Sequence, residues 1–286
     1  MTTADPGRRV ALVTGASRGI GRACALALAE AGFDLAFTAR TEREGDGRDD
    51  SDAGGNAPVE GSLERTAADV ESRGAAALPL VADLCDIGSL ERAVAETLGV
   101  RGRIDVLVLN AVHTGPGSML PLLETPIDAL QTKLSANVVA QFATVQAALP
   151  AMLAAGGGRI VCITSYAATH EPTAAVGAGG WGYAYAASKA GFHRLAGHIA
   201  VEFGDRGIVA VNVDPGHVLT ERMVANQRRL GLEGRYAGAP PSAIGAVVAW
   251  LATSPETPTL NGQTIEGLRV VLQRGLHPDW RETRAT

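Results

Sequence analysis

Short apolar runs rich in β-branched residues alternate along the chain with Ala/Leu-rich stretches of helical length. The runs at 10–13, 35–38, 77–82, 106–109, 159–164, 209–213 and, more weakly, 263–266 predict strands. Between them, 20–31, 63–73, 87–98, 127–154, 183–203 and 243–252 predict helices. Strands that are apolar on both faces need cover on both sides, the mark of parallel strands joined by crossover helices. The expected fold class is α/β: a Rossmann-type, doubly wound parallel sheet of about seven strands with helices on both faces. One such sheet implies a single domain over residues 1–286.

Two segments break the alternation: 44–62, rich in Gly and Asp, and 166–181, rich in Ala, Gly and Thr. Both read as loops inserted between elements rather than linkers between domains. The first carries Asp46, Asp49, Asp50 and Asp52, which invites comparison with a calcium loop. No metal site is expected, and the segment reads as solvated and partly disordered.

Composition narrows the function classes. A formal net charge of −5 over 286 residues leaves no basic face for nucleic acid. Cys24, Cys85 and Cys162 are scattered without metal-ligand spacing and read as buried reduced thiols, which points to a cytoplasmic protein. The opening MTTADPGRRV has no continuous apolar stretch of signal-peptide type, and nowhere do 18 apolar residues run unbroken, so no membrane partner is expected.

The first predicted strand runs straight into Thr14-Gly15-Ala16-Ser17-Arg18-Gly19-Ile20-Gly21, and a helix follows at once. Glycines let the backbone turn sharply and approach a pyrophosphate, while the helix start presents free N–H groups and a positive dipole end. An ordinary glycine-containing strand–helix turn is the alternative. The second strand ends Thr38-Ala39-Arg40, with no acid to bond a ribose 2′-hydroxyl and with a guanidinium suited to a 2′-phosphate. Arg18 offers a second clamp. NADP(H) is therefore favoured over NAD(H), unless both arginines are simply solvated.

Tyr185 and Lys189 stand four apart near a helix start and so share one face. A neighbouring ammonium would bring a phenol toward a useful acid/base range. Lys133 and Lys189 are the chain's only lysines among its 25 Lys and Arg. Upstream, Ser165 follows the strand at 159–164, where its hydroxyl would face a ligand crevice or cap its own turn.

Taken together, these residues resemble the short-chain dehydrogenase/reductase family, in particular its NADP-preferring, ketoreductase-like branch, over roughly residues 8–270. The glycine turn resembles the family's TGxxxGxG, Tyr185 and Lys189 its YxxxK, and Ser165 its catalytic serine. Asn137 matches the helix asparagine that completes a tetrad. The resemblance implies that Tyr185 is the acid/base for a ketone or secondary alcohol and that Ser165 steadies the reacting oxygen. It further implies that Lys189 holds the nicotinamide ribose and lowers the tyrosine pKa, and that Asn137 holds a water of a proton relay. Asp83-Leu84 resembles the adenine-binding pair, and the stretch from Asn212 through Pro215, Gly216, Val218 and Thr220 resembles the segment that grips the nicotinamide carboxamide.

Several departures stand out. The family's N-N-A-G is here Leu109-Asn110-Ala111-Val112; Asn110 can still line the adenosine ribose, but Val112 adds bulk. The excursion between Ser165 and Tyr185 is longer than usual, and Tyr183 is a rival tyrosine with no lysine four residues on. His113, His170 and His217 lie on loops near the inferred crevice. Residues 221–241 resemble a mobile substrate lid, and 271–286 read as a C-terminal extension. In the lid, Arg222, Arg228, Arg229 and Arg235 could meet an anionic carrier or form a solvated helix face. The expected partners are a small carbonyl or alcohol substrate and further copies of the chain, as a tetramer or dimer. An NAD-preferring dehydrogenase and a non-catalytic dinucleotide sensor are the competing readings.

Overall fold

The computed structural model describes residues 7–229, 231 and 237–281. Arg235, the 232–236 part of the expected lid and the last residues of the expected extension lie outside the described residues. Seven parallel strands form one sheet in the order β5-β2-β1-β6-β7-β8-β9. They are β1 (Val10–Thr14), β2 (Asp34–Ala39), β5 (Ala77–Val81), β6 (Val106–Leu109), β7 (Gly158–Ile163), β8 (Ile208–Asp214) and β9 (Thr264–Glu266). The described helices are α1 (Gly19–Glu30), α2 (Leu63–Glu71), α3 (Ile87–Arg101), α4 (Ile127–Leu134), α5 (Ala140–Ala154), α6 (Tyr183–Phe203), α7 (Glu221–Arg229), α8 (Pro241–Thr253) and α9 (Gly267–Arg274).

Strand alternation divides the interior into two cores. Val106 and Val108 of β6 pack with Leu28, Val247 and Leu251 on one side. Leu107 and Leu109 pack with Ala140, Ala148 and Phe192 on the other. The continuous apolar runs of the sequence are therefore strands buried on both faces. The order reverses between β1 and β6, since chain growth runs outward from β1 through β2 to β5 and then from β6 through to β9. Ligand crevices of such sheets open at the carboxyl ends of the strands at this switch point.

Two expectations are corrected here. Residues 44–62 are not a solvated, partly disordered loop: Arg48–Asp49 (β3) and Ala57–Pro58 (β4) pair as an antiparallel hairpin. Of its four aspartates only Asp46 is left to water. Asp52 accepts from the backbone N–H groups of Gly117 at 2.8 Å and Met119 at 2.6 Å, and Asp49 is buried. The second correction is Cys85, which is exposed, while Cys24 and Cys162 are buried as expected. Cys85 lies just beyond β5 on the loop before α3, with its sulfur 3.6 Å from His113 Nδ1.

The predicted 127–154 helix is long and apolar, but half of its most apolar window is buried within the fold. It is not uniform. A single π-helical turn, Ser135–Val139, joins α4 to α5, with Ala140 N–H bonded to the Ser135 carbonyl. Wide turns of this kind commonly mark functional positions. Around it, three polar residues spaced by four grip the segment leaving β6. Lys133 Nζ donates to the carbonyls of His113 (3.1 Å) and Gly115 (2.6 Å). Asn137 Oδ1 accepts from His113 N–H at 2.7 Å, and Gln141 Nε2 donates to the Ala111 carbonyl at 2.7 Å. This ladder satisfies backbone groups that would otherwise be orphaned beneath the bulky Val112.

Lys133 is fully buried, and burial pushes its ammonium down to about 8 against the pull of Asp52 and Asp50. Because the ordinary lysine value is ~10.4, the unfolded chain binds more protons than the folded chain between these two values. The cost of the buried charge is thus present below the folded pKa and is relieved as pH rises through it. Lys133→Met removes this linkage. Urea unfolding of both proteins at matched pH should show the wild type gaining on the variant by ~1–3 kcal/mol from neutral to strongly alkaline pH. A pH-independent difference would mean that Lys133 titrates like an exposed lysine.

Candidate active site

The end of β1 and the end of β6 are knitted together. Thr14 Oγ1 donates to the Val108 carbonyl (3.3 Å) and accepts from the N–H groups of Asn110 (3.0 Å) and Ala111 (3.1 Å). Asn110 Nδ2 donates to the carbonyls of Thr14 (2.9 Å) and Gly15 (3.1 Å). The Asn110 amide therefore holds the glycine turn in shape. Gly15 has φ +71°, and a Cβ there would lie 2.8 Å from Ala111 Cα. A Cβ at Gly21 would collide with the Gly15 carbonyl and the Asn110 amide. The turn thus fits flat against the neighbouring strand, leaving its outer side to the crevice.

A cleft opens along this edge. Gly15, Ser17, Arg18, Gly19 and Ile20 of the turn, Arg40 after β2, and Asp83 and Leu84 after β5 all line it. Asn110, Val112 and His113 after β6, Tyr185 and Lys189 of α6, and Pro215, Thr220 and Arg222 beyond β8 complete the wall. Gly21 acts through packing rather than as wall. Gly216 bends the chain with φ +64° beside Leu268, and Val218 is buried and bridged to Ala239. Those two residues shape the segment from behind.

At the inner end, Tyr185 faces the cleft, whereas Tyr183 is 56% exposed on the outer surface. Burial pushes the Tyr185 phenol above its ordinary value, while an interaction with the Ser165 side chain and the charge of Arg222 draw it back. Ser165 begins a short 3₁₀ turn, and its Oγ also accepts from Ala167 N–H at 3.3 Å, so it caps its turn and reaches Tyr185. Lys189 is buried, with Nζ donating to the Ile163 carbonyl at 3.1 Å, and burial pushes it down to about 8. Arg222 stands near enough for its charge to act on the phenol.

Asn137 does not reach the cleft wall. Its Oδ1 holds His113 N–H, and its Nδ2 donates to Ser188 Oγ at 3.1 Å, which joins the wide turn to α6 between Tyr185 and Lys189. His113 reaches the wall; His170 instead stacks on Tyr166 at 3.7 Å, and His217 bonds the Ala237 carbonyl at 2.7 Å.

At the outer end both expected phosphate clamps have protein partners. Arg18 donates to the carbonyls of Glu60 (2.8 Å) and Gly61 (2.9 Å) and to Thr41 Oγ1 (3.1 Å). Arg40 pairs with Asp50 of the hairpin at 2.8 Å, and Asp50 also accepts from Thr114 Oγ1 at 2.7 Å. Burial works against charge on Asp50, but these bonds prevail and hold its carboxyl below the ordinary range. Arg48 and Val59 of the 44–62 segment and Thr114 beyond β6, which the sequence does not single out, also face the cleft. The Asp/Gly-rich composition of 44–62 was the only signal for the first two.

The cradle fits a dinucleotide: the glycine turn leaves room for backbone approach, cations stand at the outer end, and a phenol and an ammonium stand at the inner end. Among the described residues, no cluster of His, Cys, Asp and Glu has metal-binding arrangement.

A family model described as enoyl-(acyl carrier protein) reductase matches residues 15–266. A short-chain dehydrogenase/reductase of Hericium erinaceus is 32% identical over 268 residues, covering 90% of this chain and 94% of that protein. The L-rhamnose 1-dehydrogenase (NAD(P)(+)) of a Sphingomonas species is 30% identical, covering 84% of this chain and 87% of its own. Among solved structures, a short-chain type dehydrogenase/reductase from Mycobacterium marinum superposes with a TM-score of 0.73 at 28% identity, covering 91% of this chain and 94% of that one. Fold and sequence agree with these relatives, and the chain belongs to the short-chain dehydrogenase/reductase family, enzymes that oxidise alcohols or reduce ketones with a nicotinamide dinucleotide.

Proposed function

We propose that this enzyme is an NADP(H)-dependent oxidoreductase of a ketone or secondary alcohol, with Tyr185 as its acid/base. The observation that carries the reading is the placement of Tyr185 on the cleft wall, within reach of Ser165 and one helical turn from the buried Lys189. When bound, the dinucleotide supplies or accepts the hydride. Gly15, Ser17, Gly19 and Ile20 would hold its pyrophosphate on the helix start, with Asp83 and Leu84 along the adenine. Pro215 and Thr220 would hold the nicotinamide end beside Tyr185, and Lys189 the neighbouring ribose.

In reduction, Tyr185 donates its proton to the carbonyl oxygen as the carbon receives hydride; in oxidation the tyrosinate takes the alcohol proton. Ser165 donates to the same oxygen and stabilises developing alkoxide charge. Asn137 serves as a positioning residue, since both ends of its amide are bonded to protein. The bland caps and turns that each residue would otherwise supply do not account for their convergence on one cleft. Exposed Ile127, Val139 and Phe142 along α4 and α5 support self-association as a dimer or tetramer. Free thiols at all three cysteines support a cytoplasmic setting.

Tyr185→Phe should lower turnover by ~100-fold or more while leaving the NADPH dissociation constant nearly unchanged. Nicotinamide absorbance with a panel of ketones and alcohols reads the first quantity and fluorescence titration the second. Wild-type turnover in the variant would remove Tyr185 from the chemistry.

Preference for NADP(H) is supported by Ala39 in place of an acid and by Arg18 and Arg40 on the wall. One observation favours the NAD reading: Asp50 already neutralises Arg40. The two are separated by titrating wild type and Asp50→Asn with NADPH and NADH. NADPH should bind more tightly to the wild type, and the substitution should widen the gap by ~3–10-fold as a 2′-phosphate gains an unpaired guanidinium. Tighter NADH binding in both proteins would establish the alternative.

A further inference from the structure

Helix α1 makes no cap of its own. Arg18 at its N-cap position contributes no capping side-chain hydrogen bond, and the first turn of the helix holds no acid. The free N–H of Gly19 is instead taken by Glu221, whose Oε2 lies 2.8 Å away although 202 positions separate the two residues. The start of α7 is pressed onto the turn to make this contact. A Cβ at Gly19, where φ is +58°, would lie 3.2 Å from Thr220 Cγ2.

The next residue, Arg222, is the second observation. Its side chain enters the same cleft, where Tyr185, Arg40, Asp49 and Asp50 all lie within electrostatic range. Arg222 has neither a hydrogen-bond acceptor nor an ion-pair partner among the described residues. The guanidinium is half-buried without a direct ion pair, and burial opposes its charge more than Asp49 and Asp50 support it. A carboxylate therefore sits on the anion seat of the helix dipole, and a cation lacking an anion stands beside it, both supplied by consecutive residues of one helix.

We propose that Glu221 and Arg222 together set the affinity of the dinucleotide site: Glu221 competes with the pyrophosphate for the Gly19 N–H, and Arg222 becomes the counter-ion of the pyrophosphate that displaces it. The inference rests on the dinucleotide reading above and adds two residues to it. One N–H and one dipole end cannot serve two anions at once. Binding thus exchanges a weak tethered anion for a doubly charged one, and the exchange leaves Arg222 paired. It also ties the position of α7 to the presence of dinucleotide, because Glu221 is the bond that holds the start of that helix on the turn.

Calorimetric titration of wild type, Glu221→Gln, Glu221→Asp and Arg222→Met with NADPH, ADP-ribose and adenosine tests this. ADP-ribose carries the pyrophosphate without the nicotinamide, and adenosine carries neither. Glu221→Gln and Glu221→Asp should each tighten NADPH and ADP-ribose about fivefold, the first by removing the charge and the second by shortening its reach. Arg222→Met should weaken both about tenfold. Adenosine affinity should stay the same throughout. Unchanged or weaker ADP-ribose binding in the glutamate variants would overturn the competition, and an Arg222→Met loss shared equally by adenosine would overturn the counter-ion. If Glu221→Gln failed to melt cooperatively, Glu221→Asp would decide. Wild type that bound neither NADPH nor NADH would defeat the dinucleotide reading itself, whereas wild-type binding with indistinguishable variants would defeat only the roles given to Glu221 and Arg222.

Discussion

Thr14 and Asn110 do for the carboxyl edge of the sheet what no pair of strands can do alone: they saturate the backbone groups at the place where the strand order reverses. Beyond that point β1 and β6 can no longer bond each other, and unpaired buried amides and carbonyls would be expensive. With those groups satisfied, the turn at Gly15 can lie against Ala111, and the start of α1 is aimed at the crevice rather than at solvent. The anion seat, the cleft wall and the entry of the hairpin all take their positions from this knot.

A second set of bonds fixes the opposite wall. The wide turn at Ser135–Val139 lets Asn137 face His113 N–H on one side and Ser188 on the other, so the turn, α6 and the segment after β6 are bonded together. Lys133 and Gln141 extend this grip by one turn in each direction. The burial of an ammonium there is costly in isolation, and two carbonyls on one short loop offset it. Val112, which departs from the family's glycine, is accommodated because the backbone around it is held from below rather than by its own compactness.

The sheet was legible because its central strands are covered on both sides, so hydrophobic runs such as 106–109 needed no tertiary context to be recognised. The glycine turn, Tyr185 and Lys189 were legible because their spacing is local. The hairpin at 44–62 was not, since its order comes from bonds such as Asp52 to Gly117 and Asp50 to Thr114, whose partners lie more than sixty positions away. Composition alone saw only solvated acids. Cys85 was misjudged for the converse reason: its apolar neighbours Leu84 and Ile87 face inward, while the loop turns the thiol out. Helices α7 and α9 are short, and the polar α7 takes its place from Glu221 rather than from an apolar stripe. The wide turn within 127–154 leaves no mark in the hydrophobic pattern, because an extra residue in one turn changes hydrogen-bond partners more than it changes periodicity.

The two lysines have a consequence for the molecule's exterior. Lys133 and Lys189 are the only side-chain amines, and both are buried. Every solvent-facing side-chain cation other than histidine is therefore a guanidinium, which keeps its proton at any alkalinity the fold survives. The guanidinium charge of the outer face thus persists in base, and amine-selective reagents are offered no side-chain target until the interior opens, so their uptake would report breathing of the core rather than reactivity of the surface.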